Sequence, residues 1–147
     1  MENSKFKELH ALYISLIPLL QKCNTRENID RSDKLGNKNQ VMAIMIIGKA
    51  ETISMTFLSK FINMEKGSLT TLIDSLEKMD YVKRLDDPND RRKKMLSLTA
   101  EGIIQLRVIE EQSKKSFADM IVKLNESEID EMFTSLKSLV KILRKIN

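Results

Sequence analysis

The chain has no tryptophan, one cysteine, one histidine, two prolines and four glycines in 147 residues. Cys23 has no partner for an internal disulfide, and His10 is the only imidazole, so no metal site and no cofactor are expected. So few prolines and glycines argue against a loop-rich β fold. Long uninterrupted apolar runs are missing as well, and Glu2, Lys5 and Lys7 share the first residues, a pattern of neither a membrane span nor a signal peptide. A cytoplasmic protein without membrane contact is the expectation. A Gly-rich phosphate loop, a His-Glu-x-x-His helix and a nucleophile–histidine constellation are all wanting, so an enzyme is not expected. The acidic cluster Asp86, Asp87 and Asp90 is ringed by cations, which suits ion pairing better than proton transfer.

What the chain does have is helical periodicity. Hydrophobic residues make up 41% and charged residues 31%, and the length suits one domain with a real core. Phe6, Leu9, Leu12, Tyr13, Leu16, Ile17 and Leu20 recur at steps of three and four, predicting a helix over about 5–22 that Pro18 should kink. Asn24 to Gly36 is polar and reads as a loop. Asn37 and Gln40 have capping-box spacing, opening a helix near Lys38 that ends near Gly48. Ser54 caps a short helix with Leu58 inside, Asn63 suits a tight turn, and a second short helix follows from Lys66 to Met79. Two short helices joined so closely make a helix-turn-helix. Tyr81–Leu85 and Met95–Leu98 read as strands joined by Asp87-Pro88-Asn89-Asp90. Thr99 then caps a long helix, and Asn125 with Glu128 opens a last one carrying a wide apolar stripe.

The net charge is only +4, a weak pointer to a polyanion, but its location is informative. Between Lys83 and Lys94 six basic residues face three acidic ones, so the hairpin holds most of the excess.

In element order, and in Leu58, Leu72-Ile73-Asp74, Leu76-Glu77, Tyr81-Val82, Arg84 and the run from Asp87-Pro88-Asn89-Asp90-Arg91-Arg92 through Leu96-Ser97-Leu98-Thr99 to Gly102, the chain resembles the MarR family of transcriptional regulators. The resemblance implies a mainly α fold: a winged helix-turn-helix over about 38–102 with a small β-hairpin wing, and helices over about 5–22 and 103–146 forming a dimerisation domain. It implies a homodimer bound to double-stranded DNA on an inverted repeat, most simply as a repressor, with room for a small-molecule effector whose residues stay unassigned. Nine methionines suit such a pocket, although methionine at helical spacing is more often core. Asp80 stands where the family often has glycine.

The candidate DNA-binding residues are Lys66, Ser68, Thr70, Thr71 and Ser75 on the reading helix, Ser54 before the first helix of the pair, and Arg84, Asp90, Arg91, Arg92 and Lys93 in the wing, with Lys94 beside them. The resemblance assigns Arg92 to a minor groove, with Asp90 orienting it; a guanidinium suits that negative potential. The plainer alternatives are a solvated polar face and a surface ion pair. Phe6, Leu9, Ile129, Phe133, Leu136, Val140 and Leu143 are the candidate dimer contacts. Two other functions remain open at this point: a winged helix that binds protein, and an oxidant-sensing regulator using Cys23, whose neighbours Lys22 and Arg26 would favour the thiolate.

Overall fold

A computed structural model describes residues 3–23, 35–88, 90 and 93–146, with the backbone alone for Asn3 and residues 21–23. It divides into two compact units, one made of Met1–Asn28 with Lys114–Asn147, the other of Ile29–Ser113.

The Ile29–Ser113 unit is a winged helix. Its first helix, α2 (Lys38–Ala50), follows α1 (Asn3–Cys23) of the other unit. Asn37 accepts from the Asn39 and Gln40 amides, and Gln40 returns to the cap backbone, so the free N–H groups of the first turn are met locally. The helix runs two residues beyond Gly48. Next come β1 (Ile53–Ser54), α3 (Met55–Ile62) and α4 (Lys66–Lys78). The Ser54 hydroxyl accepts from the Phe57 amide at 3.2 Å to start α3, and Asn63, at φ 55°, ends it in the left-handed conformation that asparagine tolerates.

The hairpin strands are β2 (Val82–Asp86) and β3 (Lys94–Leu98), each within a residue of the sequence expectation. A third strand was not expected: β1 pairs antiparallel with β3, giving the order β1-β3-β2. Two residues are too short for any alternation to register. Leu58, Leu69, Leu72, Ile73, Leu76, Val82 and Leu96 join Val41, Ile44 and Ile47 of α2 in one buried cluster. Ile109 of α5 (Ala100–Ile121) belongs to the same cluster, so the first part of α5 packs with the winged unit.

The other unit contains α1, the rest of α5 and α6 (Glu126–Leu143), the last opened by the Asn125–Glu128 capping box. Pro18, expected to kink its helix, lies inside α1, which continues to Cys23. Among the described residues of this unit no apolar side chain is fully buried. Among the described residues of the whole chain no helix is long and apolar enough to cross a membrane.

Candidate nucleic-acid interface

Periodicity decides what α4 presents. Leu69, Leu72, Ile73 and Leu76 enter the core, which leaves Lys66, Ser68, Thr70 and Thr71 exposed together around the first two turns. The Thr70 hydroxyl donates to the Lys66 carbonyl at 2.9 Å and that of Thr71 to the Gly67 carbonyl at 3.3 Å. Both oxygens therefore offer acceptor lone pairs outward while their protons are used within the helix. Glu65 occupies the N-cap position but makes no side-chain cap bond. A Cβ built on Gly67 would meet nothing within 4 Å, so this end of the helix is open around its backbone. The turn before it is braced by the Ser59 hydroxyl, which donates to the Met64 carbonyl at 2.7 Å.

Ser75 stands apart from this group. It is half-buried, and its Oγ accepts from the Gln40 Nε2 at 2.8 Å, so it faces α2. Ser54 is likewise engaged in capping α3.

In the wing, register assigns each strand residue a side. Val82 pairs with Leu98 and Arg84 with Leu96, so Arg84 shares the inner face with buried residues, and Lys83, opposite Ser97, takes the outer one. The Arg84 guanidinium bonds the Glu77 carboxylate, and reaches Asp74 at 2.6 Å; its own amide donates to Glu77 at 3.2 Å. Three residues that carry the family resemblance in separate stretches of sequence, Asp74, Glu77 and Arg84, are thus one clamp between α4 and β2. Lys83 was not a site candidate from sequence, although strand alternation outward from the apolar Val82 would have found it.

Toward the tip, Lys94 pairs with Asp86, the Lys93 amide donates to the Asp90 carbonyl at 2.8 Å, and the Lys93 ammonium lies 3.8 Å from the Asp90 carboxylate. Asp90 also donates its amide to Asp87 at 3.2 Å, a turn-forming bond. Arg91 and Arg92 lie outside the described residues, as does the side chain of Cys23.

Two residues fix the base of the hairpin. Asp80 has φ 60°, the left-handed region, which explains a position where glycine is common and shows an aspartate tolerating it. The Thr99 hydroxyl bonds the Asp80 carbonyl and accepts from the Gly102 amide at 2.9 Å. At Gly102 a Cβ would lie 1.9 Å from the Tyr81 carbonyl oxygen, so α5 can start here only without a side chain.

In the other unit, Phe6 (53% exposed), Leu9 and Phe133 (66%) are open to solvent, and Ile129, Leu136, Val140 and Leu143 are exposed too. The end of α5 and α6 enclose a groove of about 730 Å³, lined by Phe117, Ile121, Met132, Phe133 and Leu136 together with Lys137, Lys141 and Arg144.

A model of the MarR family matches residues 37–94, from the cap of α2 to the first residue of β3. The HTH-type transcriptional regulator SarZ of Staphylococcus haemolyticus is 31% identical over 99 residues, covering 67% of this chain and 66% of that protein. The chain belongs to the MarR family. Its likeness to solved members extends beyond the matched stretch. The MarR-family fold of FabT from Streptococcus pneumoniae, crystallised in complex with DNA, covers 99% of this chain and 100% of FabT at a TM-score of 0.64 and 24% identity. NadR, crystallised with 4-hydroxyphenylacetate, covers 99% of this chain and 93% of its own at a TM-score of 0.61 and 25% identity. The SarZ match spans just under two thirds of that protein's length. SarZ is named a transcriptional regulator, as MarR-family proteins are, and not an enzyme.

Proposed function

We propose that the chain is a DNA-binding transcriptional repressor of the cytoplasm that grips an inverted-repeat operator as a homodimer and is released by a small molecule. The observation that carries this reading is the exposed polar face at the N-terminal end of α4, Lys66, Ser68, Thr70 and Thr71, held out from the core beside a basic wing. A reading helix uses that end to reach base edges in the major groove. Lys66 donates to a guanine or a phosphate, and the hydroxyl oxygens accept from exocyclic amines. On the wing, Arg92 enters the minor groove with Asp90 orienting it, and Lys83, Arg91 and Lys93 neutralise phosphates. Ser54 is close enough in sequence to the start of α3 to add a backbone contact. FabT, similar over its full length, binds DNA in its crystal structure, which supports the same use of the fold here.

Dimerisation is supported by apolar surface that one protomer leaves open on α1 and α6. An exposed patch this extensive is characteristic of an association surface. The charge of α6 also suits pairing with a second copy: Glu126, Glu128, Asp130 and Glu131 fill its first half, Lys137 and Lys141 lie in its second half, and Arg144 and Lys145 follow directly after it. Two such helices side by side and antiparallel bring opposite charges together, as a two-fold interface requires. For the effector, the support is NadR and its bound 4-hydroxyphenylacetate. Selection of bound sites from a random duplex pool, with sedimentation of the free protein, tests the reading. An inverted repeat with half-sites about one helical turn apart, or a multiple of it, is expected from a dimer. A monomer at micromolar concentration, or a pool without enrichment, defeats it.

A further inference from the structure

Gln40 is the one buried polar residue among the described side chains, 5% exposed. A capping glutamine usually sits at the surface with its amide nitrogen in water, and only its oxygen is needed for the cap. Here the oxygen accepts from the Gly36 amide at 2.8 Å and the Asn37 amide at 3.2 Å, and the nitrogen crosses 35 positions of sequence to donate to Ser75 on α4 at 2.8 Å. A single planar amide thus ties the chain entering α2 to the C-terminal part of the reading helix. Otherwise α2 and α4 meet through the apolar cluster of Val41, Ile44 and Ile47 with Leu69, Leu72, Ile73 and Leu76, whose interdigitation sets the crossing of the two helices while the hydrophobic drive itself favours no particular direction. Hydrogen bonds of this kind do favour one.

We propose that Gln40 is a positioning residue for DNA recognition: through Ser75 it sets the rotation and height of α4, and so where Lys66, Ser68, Thr70 and Thr71 meet the bases. The proposal deepens the DNA-binding reading and rests on it. Its physical signature separates it from a purely structural role. Base-edge contacts fail when donors move by an ångström, whereas phosphate attraction varies slowly with distance, so loss of the tie costs sequence-specific binding and spares non-specific binding.

The test measures affinity for the wild type's enriched site and for a scrambled duplex of equal length at one salt concentration, for wild type, Gln40→Leu, Ser75→Ala and the double variant, each corrected for folded fraction. Ser75→Ala lowers the ratio of specific to non-specific affinity by about fivefold, what one neutral hydrogen bond is worth, and Gln40→Leu, which also loses its two bonds to the cap backbone, lowers it by at least as much. The double variant loses no more than the worse single one, because one bond is broken in all three. Equal falls on both duplexes, or losses that multiply in the double variant, overturn the proposal. Should Gln40→Leu fail to fold, Ser75→Ala decides alone, since alanine is at home in a helix. Amide hydrogen exchange in the free protein supplies a readout without DNA: Ser75→Ala speeds exchange in α4 while leaving α6 unchanged, and unchanged exchange in α4 overturns the tie. A wild type that enriches no site defeats the DNA-binding reading, and the exchange result then still judges the tie.

Discussion

Replacing Arg84 by alanine separates two roles that a basic wing residue can have. In the structure its guanidinium is shared between Glu77 and Asp74, with Arg84 27% exposed, Glu77 30% and Asp74 58%. The Glu77 interaction is the better shielded and joins charged partners, so it contributes about 1.5 kcal/mol. Asp74 is well solvated, and its share is about 0.5 kcal/mol. The sum, about 2 kcal/mol, corresponds to a melting temperature lower by about 6 °C for a chain of this length. Arg84→Lys should recover part of the loss, because an ammonium cannot fork to two carboxylates. The decisive assay is the dependence of operator affinity on salt. A phosphate contact releases counterions, and its loss lowers the slope of log K against log salt by about 0.9. The clamp predicts an unchanged slope with lowered stability. A slope reduced by about one with an unchanged melting temperature would refute the reasoning and return Arg84 to the DNA.

Arg92→Ala should weaken operator binding by about 1 to 3 kcal/mol while melting like wild type; unchanged affinity in a mobility shift removes Arg92 from the site. Phe133→Glu puts a charge in the apolar stripe of α6 and should convert the dimer to monomer by sedimentation, with loss of tight operator binding. Gly102→Ala forces the start of α5 away from the Tyr81 carbonyl and should destabilise by about 1 to 3 kcal/mol, read by denaturant unfolding; a neutral result would mean the close approach relaxes freely. Cys23→Ser should bind the operator like wild type, and mild peroxide should release neither, since no second cysteine in the chain can resolve a sulfenic acid; release of the wild type alone would make oxidant the leading effector.

Local chemistry was readable in advance. The boxes at Asn37–Gln40 and Asn125–Glu128, the caps at Ser54 and Thr99 and the turn at Asn63 depend on residues three or four apart, and all are present. The core of the winged unit followed from periodicity for the same reason: Leu69, Leu72, Ile73 and Leu76 lie on one side of any α-helix. The exposed face of α4 is the complement of that stripe, so its candidates Lys66, Ser68, Thr70 and Thr71 were legible, and the one that proved to face inward, Ser75, lies at the edge of the stripe.

Partners distant in sequence were decided only by the tertiary structure. The residue type of Arg84 is equally suited to a phosphate and to a carboxylate; the choice came from the register of β2 on β3, which turns it inward beside Val82, and from α4 placing Asp74 and Glu77 beneath it. The two-residue β1 exists because β3 offers an edge to pair with, not because Ile53-Ser54 has any strand pattern of its own. Gln40 announced a cap in the sequence, and its second bond, to Ser75, appears only when α2 and α4 pack. Composition and short-range spacing dictate which elements form and which face of each is apolar, because those depend on backbone geometry repeated every few residues. Which polar group meets which across the core depends on how the elements dock, and that is set by the packing of the whole unit at once.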